Sequence, residues 1–502
     1  MKRNRPWKYI PLFTAGYLLL LFLLVKVESQ ADQGVIHTYA DGFWYTLTTL
    51  TTVGYGDLYP VTGTGRIIGV IFQLFSLGLL AVLVGTAVLL FKGVILPWIR
   101  LRTHPRDAWY IFVNDSPESE YLASRLSEQD PHSVILFTKN DADSSLIPEQ
   151  ILQARRDNRK TVLFCTGDSD AGNLYTASRF RDTQALICCE SSYEPDMLSE
   201  REILFDPYSL CARLYWQKYP VTAKDEKIRL IGSGKYAEAM LEYALIQNVI
   251  DPDQQITYTV CGDFGNFRRN HPSLSEICGT DRIYFTDEAW NQQLTALAET
   301  DRVIFCDDDR EVNLDRVTQL LKYTPVNGTV YAITDIQVPG SVSFGTLEEI
   351  WTPELVMRTK LNQTAMRLHE IYRRESGNKA KPWQELSSFT RRSNLASADH
   401  LPVKIRILLH DETIREPDKK TYAKAYEAFL QADENTRRKY EEIEHIRWMR
   451  FHLMNGWQYA PVRNDQLRRH PLLCPFNDLS AEEQAKDDYG WKLLGTLAED
   501  HQ

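Results

Sequence analysis

The chain has 502 residues, 25% of them charged and 43% hydrophobic, and its formal net charge is −10. This length leaves room for several domains, and the acidic balance argues against a general nucleic-acid-binding surface. The eight cysteines lack the paired spacing of zinc ligands, so we expect buried thiols in a reducing compartment and no disulfide framework.

Two long apolar segments lie near the amino terminus, from Ile10 to Val25 and from Ile67 to Phe91. Each is long enough to cross a hydrocarbon core of roughly 30 Å, the first with help from its flanks. A secretory signal peptide is the alternative for the first segment, but no small-residue cleavage pattern follows it. Between the segments, Asp41-Gly42 and residues 43–50 predict a short capped helix. We therefore expect two membrane spans and one pore helix.

Residues 51–57, with the sequence TTVGYGD, follow that short helix. Four copies of such a loop around an axis point main-chain carbonyls inward and replace the water around a potassium ion. Gly54 and Gly56 allow backbone angles that a side chain forbids, so successive carbonyls can all face the pore. One chain supplies a quarter of the ring. The sequence therefore predicts a homotetramer in a lipid bilayer, with K+ in its filter.

Basic residues precede the first span and follow the second. They are Lys2, Arg3, Arg5, Lys8, Lys92, Arg100, Arg102 and Arg106. The loop between the spans has Lys26 against Glu28, Asp32 and Asp41. Because positive residues stay in the cytoplasm, we expect both termini inside and the filter facing out. The expected location is the cell (inner) membrane, which the chain crosses as a multi-pass protein.

Residues from about 8 to 98 resemble the pore of a two-transmembrane prokaryotic potassium channel, and the filter sequence is the most specific motif. The residues that this resemblance assigns to the filter are Thr52, Val53, Gly54, Tyr55, Gly56 and Asp57. It implies that the carbonyls of residues 52–55 and the Thr52 hydroxyl form the ion sites. It also implies that Asp57 anchors the outer mouth.

The same resemblance implies a support for the filter. Trp44 and Tyr45 are expected to brace Tyr55 from behind. Thr48 stands where some members of the family carry a glutamate. The stability of the filter therefore depends on what Thr48 contacts.

Small residues in the second span, Ser76, Gly78 and Gly85, are candidates for a gating hinge. The resemblance places a bending glycine near the first two. Close helix packing is the alternative, because small residues serve both purposes. We expect the pore domain over residues 1–98 and a linker to the cytoplasm over residues 99–106.

After residue 106, short apolar segments typical of strands alternate with helical ones, which predicts a doubly wound parallel sheet. The pattern occurs twice, over residues 107–221 and 222–345, and suggests an internal duplication. Behind a potassium pore, the two copies resemble the tandem regulator-of-potassium-conductance domains, which are Rossmann-like and form a gating ring. The resemblance implies a cytoplasmic α/β assembly that acts on the pore.

The second copy carries a relaxed dinucleotide-binding fingerprint after its first strand. Gly232 and Gly234 leave room for a phosphate at the start of the following helix, where Lys235 assists. Asp263 is placed to reach a ribose. A tight strand-to-helix turn is the alternative. Asp307-Asp308-Asp309 offers oxygen ligands for a divalent cation, but a solvated acidic loop is the preferred interpretation, so no metal site is predicted.

Residues 346–379 are expected to form a connecting helix, from Pro353 to Arg374, and a linker. Beyond them, residues 380–502 show no strand pattern. This segment contains the motifs Glu444-His445-Ile446-Arg447-Trp448 and Gly456-Trp457-Gln458-Tyr459. Both motifs resemble the ryanodine-receptor repeat, a small helical module.

The candidate ligand-binding residues of this module are Arg392, Asn394, Arg447, Trp448, Trp457, Tyr459 and Arg463. Arginines grip phosphate and aromatic rings stack on a base, so these residues predict a nucleotide-like small molecule. The alternative is that the tryptophans belong to the core and the arginines make surface pairs. Glu444 and His445 are poor candidates for catalysis, because no nucleophile is placed with them.

The expected fold is a membrane α-helical pore, two spans plus a pore helix, with cytoplasmic α/β doubly wound Rossmann-like tandem domains and a small C-terminal α-helical domain. The expected function is a potassium-selective homotetrameric channel, gated by a cytoplasmic ligand. The preferred ligand is a nucleotide or cyclic nucleotide at the C-terminal domain. The alternatives are a membrane-anchored NAD-binding enzyme and a scaffold whose tail recruits a protein partner. No catalytic residue is predicted, and we expect the chain not to be an enzyme.

Overall fold

The computed structural model describes residues 10–499 apart from several short segments. Those segments are 92–94, 97–98, 100–107, 139–159, 168, 197, 278–280, 287–288, 293 and 378. The chain divides into two compact units, Met1–Pro105 and Arg106–Gln502. The predicted linker over residues 99–106 lies outside the described residues except for Ile99.

Three helices form the first unit: α1 (Ile10–Glu28), α2 (Tyr39–Leu50) and α3 (Gly63–Leu90). Thr38 caps α2, since its hydroxyl accepts a hydrogen bond from the Asp41 amide at 3.2 Å. Asp41 in turn accepts one from the Thr38 amide at 2.8 Å. This reciprocal capping box stabilises the start of the predicted pore helix.

Buried apolar side chains hold these three helices together. They are Leu21, Leu24, Val25, Ile36, Tyr45, Ile68 and Phe72. Gly42 lies at the closest approach of α1 and α2, because a Cβ there would meet the Val25 Cγ2 at 2.6 Å. The absence of a side chain at residue 42 therefore sets the distance between the two helices.

Helices α1 and α3 coincide in position with the two predicted spans. A search of the described residues found no helix that combines the length and the apolar character needed to cross a membrane. The two spans stay a prediction.

The second unit begins with a sheet of five parallel strands in the order β2-β1-β3-β4-β5. The strands are β1 (Trp109–Phe112), β2 (Val134–Phe137), β3 (Thr161–Cys165), β4 (Leu186–Glu190) and β5 (Glu202–Phe205). The helices α4 (Pro117–Gln129), α5 (Asp170–Arg179) and α6 (Pro207–Lys218) follow β1, β3 and β5. Strand β5 was not predicted, because it is short and begins with the acidic Glu202.

Six parallel strands form the second sheet, in the order β11-β10-β9-β6-β7-β8. The strands are β6 (Lys227–Ile231), β7 (Thr257–Cys261), β8 (Arg282–Thr286), β9 (Arg302–Phe305), β10 (Thr329–Ile333) and β11 (Val342–Phe344). The helices between them are α7 (Lys235–Gln247), α8 (Gly265–Asn270), α9 (Leu274–Ile277), α10 (Leu294–Ala298) and α11 (Arg310–Tyr323). Counted from β6 as its first strand, the sheet has the 3-2-1-4-5-6 order of doubly wound dinucleotide-binding folds. The predicted parallel α/β architecture is present in both copies.

Helices α6 and α7 pack against each other and join the two sheets. The Trp216 indole Nε1 donates a hydrogen bond to the Met240 carbonyl at 3.1 Å across this contact. Buried Cys211, Leu241 and Ala244 belong to the same apolar cluster as strand residues of both sheets. The two copies therefore share one core.

The rest of the second unit is mainly helical. Its helices are α12 (Leu347–Ile350), α13 (Pro353–Val356), α14 (Gln363–Glu375), α15 (Ser388–Asp399), α16 (Leu401–Leu409), α17 (Lys419–Gln431), α18 (Glu434–Met454), α19 (Ala481–Gln484) and α20 (Asp488–Glu499). A small ladder joins β12 (Gln458–Tyr459) to β13 (Arg469–His470), in a region where no strand was predicted.

The single helix predicted from Pro353 to Arg374 is interrupted. Helix α13 ends at Val356, and Thr359 adopts the left-handed conformation with φ 48°. A β-branched residue rarely takes this conformation, and it cannot continue a right-handed helix. Helix α14 therefore starts anew at Gln363.

Candidate functional site

Residues 51–57 leave α2 as a loop whose backbone repeatedly turns left-handed. Thr52, Gly54 and Gly56 have φ values of 60°, 56° and 73°. Left-handed residues at every second position allow successive carbonyls to face the same side of the loop. A ring of carbonyls around an ion requires this arrangement.

Trp44 supports the loop from α2. Its ring stacks on Tyr55 with a centroid distance of 5.9 Å and an interplanar angle of 5°. Its indole Nε1 donates a hydrogen bond to the Asp57 Oδ2 at 2.9 Å. Tyr45 is placed differently, because its hydroxyl lies beside Gly69 of α3 within the buried core. Within one chain, Trp44 is thus the residue that braces Tyr55 and Asp57.

Thr48 supports the loop through its main chain. Its carbonyl accepts hydrogen bonds from the Val53 amide at 2.9 Å and the Gly54 amide at 3.2 Å. Its hydroxyl is turned back along α2 and donates to the Tyr45 carbonyl at 3.1 Å. The end of α2 therefore holds the filter segment by carbonyl acceptors, where some relatives are expected to use a glutamate side chain.

Glu28 is a functional candidate that sequence reasoning counted only as a loop charge. It is fully buried, and its Oε2 accepts a hydrogen bond from the Val61 amide at 2.8 Å. Its Oε1 accepts from the Thr62 amide at 3.0 Å and from the Thr62 hydroxyl at 2.5 Å. The carboxylate thus connects the end of α1 to the start of α3 by hydrogen bonds. These two helices precede and follow the predicted filter segment. An acidic residue directly after a long apolar segment is the only sequence signal for it.

The hinge candidates lie within α3. The helix passes through Ser76, Gly78 and Gly85 without a break, and the Ser76 side chain lies outside what the structure describes. At Gly85, an added Cβ would meet no atom of this chain within 4 Å. Gly85 is thus free of packing contacts with the described residues of its own chain, and the hinge at these positions stays a prediction.

The glycine turn of the second sheet is filled by protein. Gly234 has φ 94°, and Asp308 from the end of β9 lies against it. The Asp308 carboxylate accepts hydrogen bonds from the Lys235 amide at 3.0 Å and the Tyr236 amide at 2.8 Å. Gly232 lies against the Cys306 and Asp307 backbone, where a Cβ would meet atoms at 2.5 Å. The glycines thus allow a close approach of two loops, which matches the tight-turn alternative.

A phosphate at this turn would have to displace Asp308, because the amides that it needs are already engaged. Lys235 is also occupied, since its Nζ lies 3.2 Å from the Asp170 Oδ2. The Asp263 amide donates to the Ser233 hydroxyl at 3.1 Å. The predicted nucleotide site at Gly232, Gly234, Lys235 and Asp263 is therefore closed in this arrangement.

Asp307 and Asp309 of the acidic triplet after β9 make an ion pair and a helix cap. Asp307 pairs with Arg316 at 3.1 Å, and Asp309 caps α11 by accepting from the Glu311 amide at 2.9 Å. Among the described residues, no group of three or more His, Cys, Asp or Glu side chains is arranged to hold a metal ion.

A group of acidic side chains, Glu118, Asp170, Glu190 and Asp206, lies near Lys235. Burial, together with the other three carboxylates, raises the pKa of Glu190 to about 7. Burial also raises the pKa of Asp206 to about 6. The Lys235–Asp170 ion pair joins α7 to α5 at this group. The charge of the group therefore changes near neutral pH.

The two predicted ligand tryptophans surround a pair of buried histidines. Trp448 lies 4.1 Å from His452 and 5.1 Å from His470 between ring centroids. Trp457 lies 5.4 Å from His452 and 6.1 Å from His470. Burial lowers the pKa of His452 to about 4, so this ring is neutral at pH 7. This aromatic cluster fixes the β12–β13 ladder onto α18.

The predicted ligand arginines are paired with carboxylates. Arg447 donates two hydrogen bonds to the buried Glu444, at 2.6 and 3.0 Å, and Lys404 lies 2.8 Å from the same carboxylate. Burial works to raise the pKa of Glu444, but Arg447 and Lys404 hold it below its ordinary range. Arg392 pairs with Glu242 of α7. These contacts match the alternative in which the arginines make structural pairs.

The remaining predicted ligand residues lie further out. Arg463 pairs with its neighbour Asp465 at 2.8 Å on the surface. Tyr459 is 56% exposed on β12, and Asn394 is half-buried on α15. Of the seven predicted residues, Trp448 and Trp457 lie beside His452 and His470, and Tyr459 pairs with His470 in the β12–β13 ladder, whereas Arg392 is engaged at α7.

A cavity of about 270 Å³ opens beside Trp448. Its wall includes His445, His470 and Tyr489, together with the carboxylates Glu444, Glu483 and Asp487 and the side chain of Lys486. The His445 Nε2 faces the Cys474 carbonyl at 2.9 Å and its Nδ1 faces Asp487 at 3.3 Å. Of the predicted ligand residues, Trp448 is the one that lines this cavity.

Two segments of the chain match family models. Residues 12–92 match the model described as "Ion channel", and residues 428–497 match the model described as "RyR domain". The first segment contains the filter loop, and the second contains the cavity beside Trp448. The resemblances stated for these two segments are confirmed.

Curated relatives match the first segment. The chain is 33% identical over 91 residues to a protein named "Voltage-gated potassium channel" from Aeropyrum pernix, which covers 18% of this chain and 31% of the relative. It is 41% identical over 74 residues to the "Calcium-gated potassium channel TvoK" of Thermoplasma volcanium, over 15% of this chain and 21% of the relative. The chain thus spans about a third or less of the length of these relatives.

Solved structures of a channel called GsuK overlap a larger part of the chain. One described as bound to ADP has 16% identity and a TM-score of 0.30, and covers 66% of this chain and 91% of the other. One described as bound to NAD has 13% identity and a TM-score of 0.33, over 72% and 86%. Scores of this size carry no conclusion about this chain.

Proposed function

We propose that the chain forms a potassium-selective channel in the cell membrane, as a homotetramer with both termini in the cytoplasm. The pore domain would occupy residues 1–98. The conformation of residues 52–56, held by Thr48 and Trp44, carries this proposal. Within one chain, Val53 is 52% and Tyr55 67% exposed, so the loop presents a surface that neighbouring subunits can cover. The potassium-channel names of the relatives over this segment support the same conclusion.

Potassium flux tests the filter. Gly54→Ala places a side chain at φ 56°, where it is strained, and should abolish potassium flux from proteoliposomes while the tetramer persists. Gly63→Ala is the matched control: an added Cβ meets no atom within 4 Å at either residue, and Gly63 starts α3 outside the filter. Selective flux through Gly54→Ala tetramers would contradict the proposal, and equal flux of sodium through the unchanged channel would do the same.

We further propose that a cytoplasmic ligand gates this channel through residues 107–345, with a nucleotide or cyclic nucleotide as the preferred ligand. Its site would be the cavity beside Trp448, because the indole offers a stacking surface for a base. The volume of about 270 Å³ admits a base and ribose. Gating requires that the ligand binds the open and closed channel with different affinity.

Ligand binding at this cavity is measured by the shift in unfolding temperature that cyclic AMP produces. Trp448→Leu should reduce the apparent affinity by about tenfold, since base stacking on an aromatic ring contributes about 1–3 kcal/mol. Tyr284→Leu, an exposed aromatic residue on β8, is the control. An unchanged affinity in Trp448→Leu would show that the cavity is not the ligand site. It would not contradict the proposal that the protein conducts potassium.

A further inference from the structure

A second concave site lies outside both matched segments. A groove of about 500 Å³ runs between α14 and the chain that follows it. The residues that line it are Met366, Arg367, His369, Glu370, Arg373, Arg374, Pro382, Trp383 and Gln384. Residues 346–379 were expected to include a linker, yet the wall of the groove that contains Trp383 is held in place.

His369 fixes that wall. Its Nε2 lies 2.9 Å from the Lys381 carbonyl, and since a carbonyl only accepts, the Nε2 carries the hydrogen. The Trp383 ring packs against the His369 ring at a centroid distance of 5.9 Å and an angle of 65°. The indole is thereby positioned along one side of the groove before any ligand binds.

Positive charge is in excess on the other side. Arg367, Arg373 and Arg374 line the groove together with a single carboxylate, Glu370. Arg373 engages this carboxylate with two hydrogen bonds, at 2.8 and 2.9 Å. The Arg374 Nε lies 3.9 Å from the Glu370 Oε1 and donates a hydrogen bond to the Glu370 main-chain carbonyl at 3.4 Å. Arg374 therefore lines the groove with a side chain that is 49% exposed and whose Nε is held by a carbonyl, not by a carboxylate.

The charges distinguish this groove from the cavity beside Trp448. Three carboxylates line that cavity, whereas one lines the groove. Arginine forks match phosphate oxygens, and carboxylates repel them. A multiply charged phosphate compound is therefore favoured at the groove, whereas a nucleotide with a single phosphate charge, such as cyclic AMP, is favoured at the cavity.

We infer that the groove binds a nucleotide, with its phosphates at Arg374, beside the Arg373–Glu370 pair, and its base on Trp383. The volume of about 500 Å³ falls in the range of small-molecule sites. Arginine and an aromatic face are the two groups that phosphate and base require. The inference adds a second site to the proposed function and does not depend on potassium conduction.

The position of the groove links it to the first sheet. The Gln384 carbonyl accepts hydrogen bonds from the Leu198 amide at 3.4 Å and from the Arg391 guanidinium at 3.4 Å. Arg391 is buried and also pairs with Glu194, which precedes β5. A ligand on Trp383 therefore touches a segment that is bonded directly to the first copy.

The test measures ATP binding to the purified full-length chain in nanodiscs, by calorimetry, in the wild type and in a Trp448→Leu background. Adenosine and pyrophosphate serve as partial probes. In the Trp448→Leu background, ATP should still bind, and Trp383→Leu and Arg374→Ala should each weaken it by about tenfold. Tyr372→Leu, an exposed aromatic on α14 away from the groove, and Arg358→Ala, an exposed arginine with one surface pair, should leave it unchanged.

Three outcomes overturn the inference: no ATP binding in the Trp448→Leu background, full binding in Trp383→Leu, or pyrophosphate that binds as tightly as ATP. The first leaves the Trp448 cavity as the nucleotide site of the proposed function. A second measurement uses the wild-type protein and therefore does not depend on whether the variants fold. Photolabelling with 8-azido-ATP should mark a peptide within residues 363–384, and labelling confined to other peptides overturns the inference as well.

Discussion

Single carboxylates hold several of the decisive positions in this molecule, one buried at Glu28 and one exposed at Asp308. Glu28 accepts three hydrogen bonds at the start of α3, and Asp308 accepts two at the start of α7. Asp308 satisfies amides that a helix leaves without partners at its first turn, whereas Glu28 holds the two residues that lead into α3. The Asp308 carboxylate takes the place in which a dinucleotide fold holds phosphate.

Glu28→Gln should destabilise the pore unit by about 2 kcal/mol, because hydrogen bonds from the Val61 and Thr62 amides to a charged acceptor are replaced by weaker ones. The measurement is the unfolding temperature of the purified protein in detergent, with potassium flux as a second readout. Asp32→Asn, in the exposed loop after α1, is the control. Equal unfolding temperatures for both variants and the wild type would show that Glu28 does not hold α3.

Glu190 predicts a pH dependence of stability. Its pKa of about 7 in the folded protein exceeds the ordinary value of 4.5, so the folded state retains a proton that the unfolded state releases. Stability should fall as the pH rises from about 4.5 to about 7, by up to about 3 kcal/mol. Glu118, Asp170, Asp206 and Lys235 surround the group and share in this titration.

Glu190→Gln should therefore raise stability relative to the wild type at pH 8, and the difference should shrink toward pH 5. Urea unfolding at the two pH values measures this. Glu348→Gln, an exposed position at the start of α12, should show no such difference. A stability gap that grows as the pH falls would reverse the assigned sign and remove Glu190 as its cause.

At the scale of elements, buried ion pairs join the carboxy-terminal helices to both sheets. Arg213 of α6 donates hydrogen bonds to Asp399 of α15 at 2.7 and 3.0 Å, and both side chains are 5% exposed. Arg391 joins α15 to the first copy, and Arg392 joins it to α7. Helix α15 is thus the element through which the carboxy-terminal region contacts the two sheets.

Asp399→Asn should cost about 3–5 kcal/mol of unfolding free energy, because it leaves the Arg213 charge buried without its counter-ion. Asp465→Asn breaks the exposed Arg463 pair and should leave the unfolding midpoint unchanged. Both are read from urea unfolding at pH 7. Equal midpoints for the two variants would contradict the structural role assigned to the buried pair.

At the scale of the whole molecule, the carboxy-terminal region is part of the second compact unit and not a separate appendage. Phe451, Met454, Trp457 and Leu473 belong to the same apolar cluster as strands of both sheets. The predicted limits at residues 345 and 379 therefore separate sequence patterns, whereas the core is continuous. Ligands at the groove or at the Trp448 cavity would act on one packed body.

The sequence alone determined the elements whose geometry depends on neighbouring residues. The filter glycines and the alternation of strands and helices fall in this class, since backbone angles and side-chain periodicity are local properties. The short strand β5 and the helix break at Thr359 could not be predicted from the sequence, because their local signals are weak.

Only the tertiary structure decided which groups meet across the chain. It brought Asp308 to the glycine turn, gave Arg392 and Arg447 carboxylate partners, and placed Trp383 opposite Arg374. A residue pattern states which charges and rings are available, but packing over hundreds of residues settles which of them are consumed by the fold and which are left for a ligand.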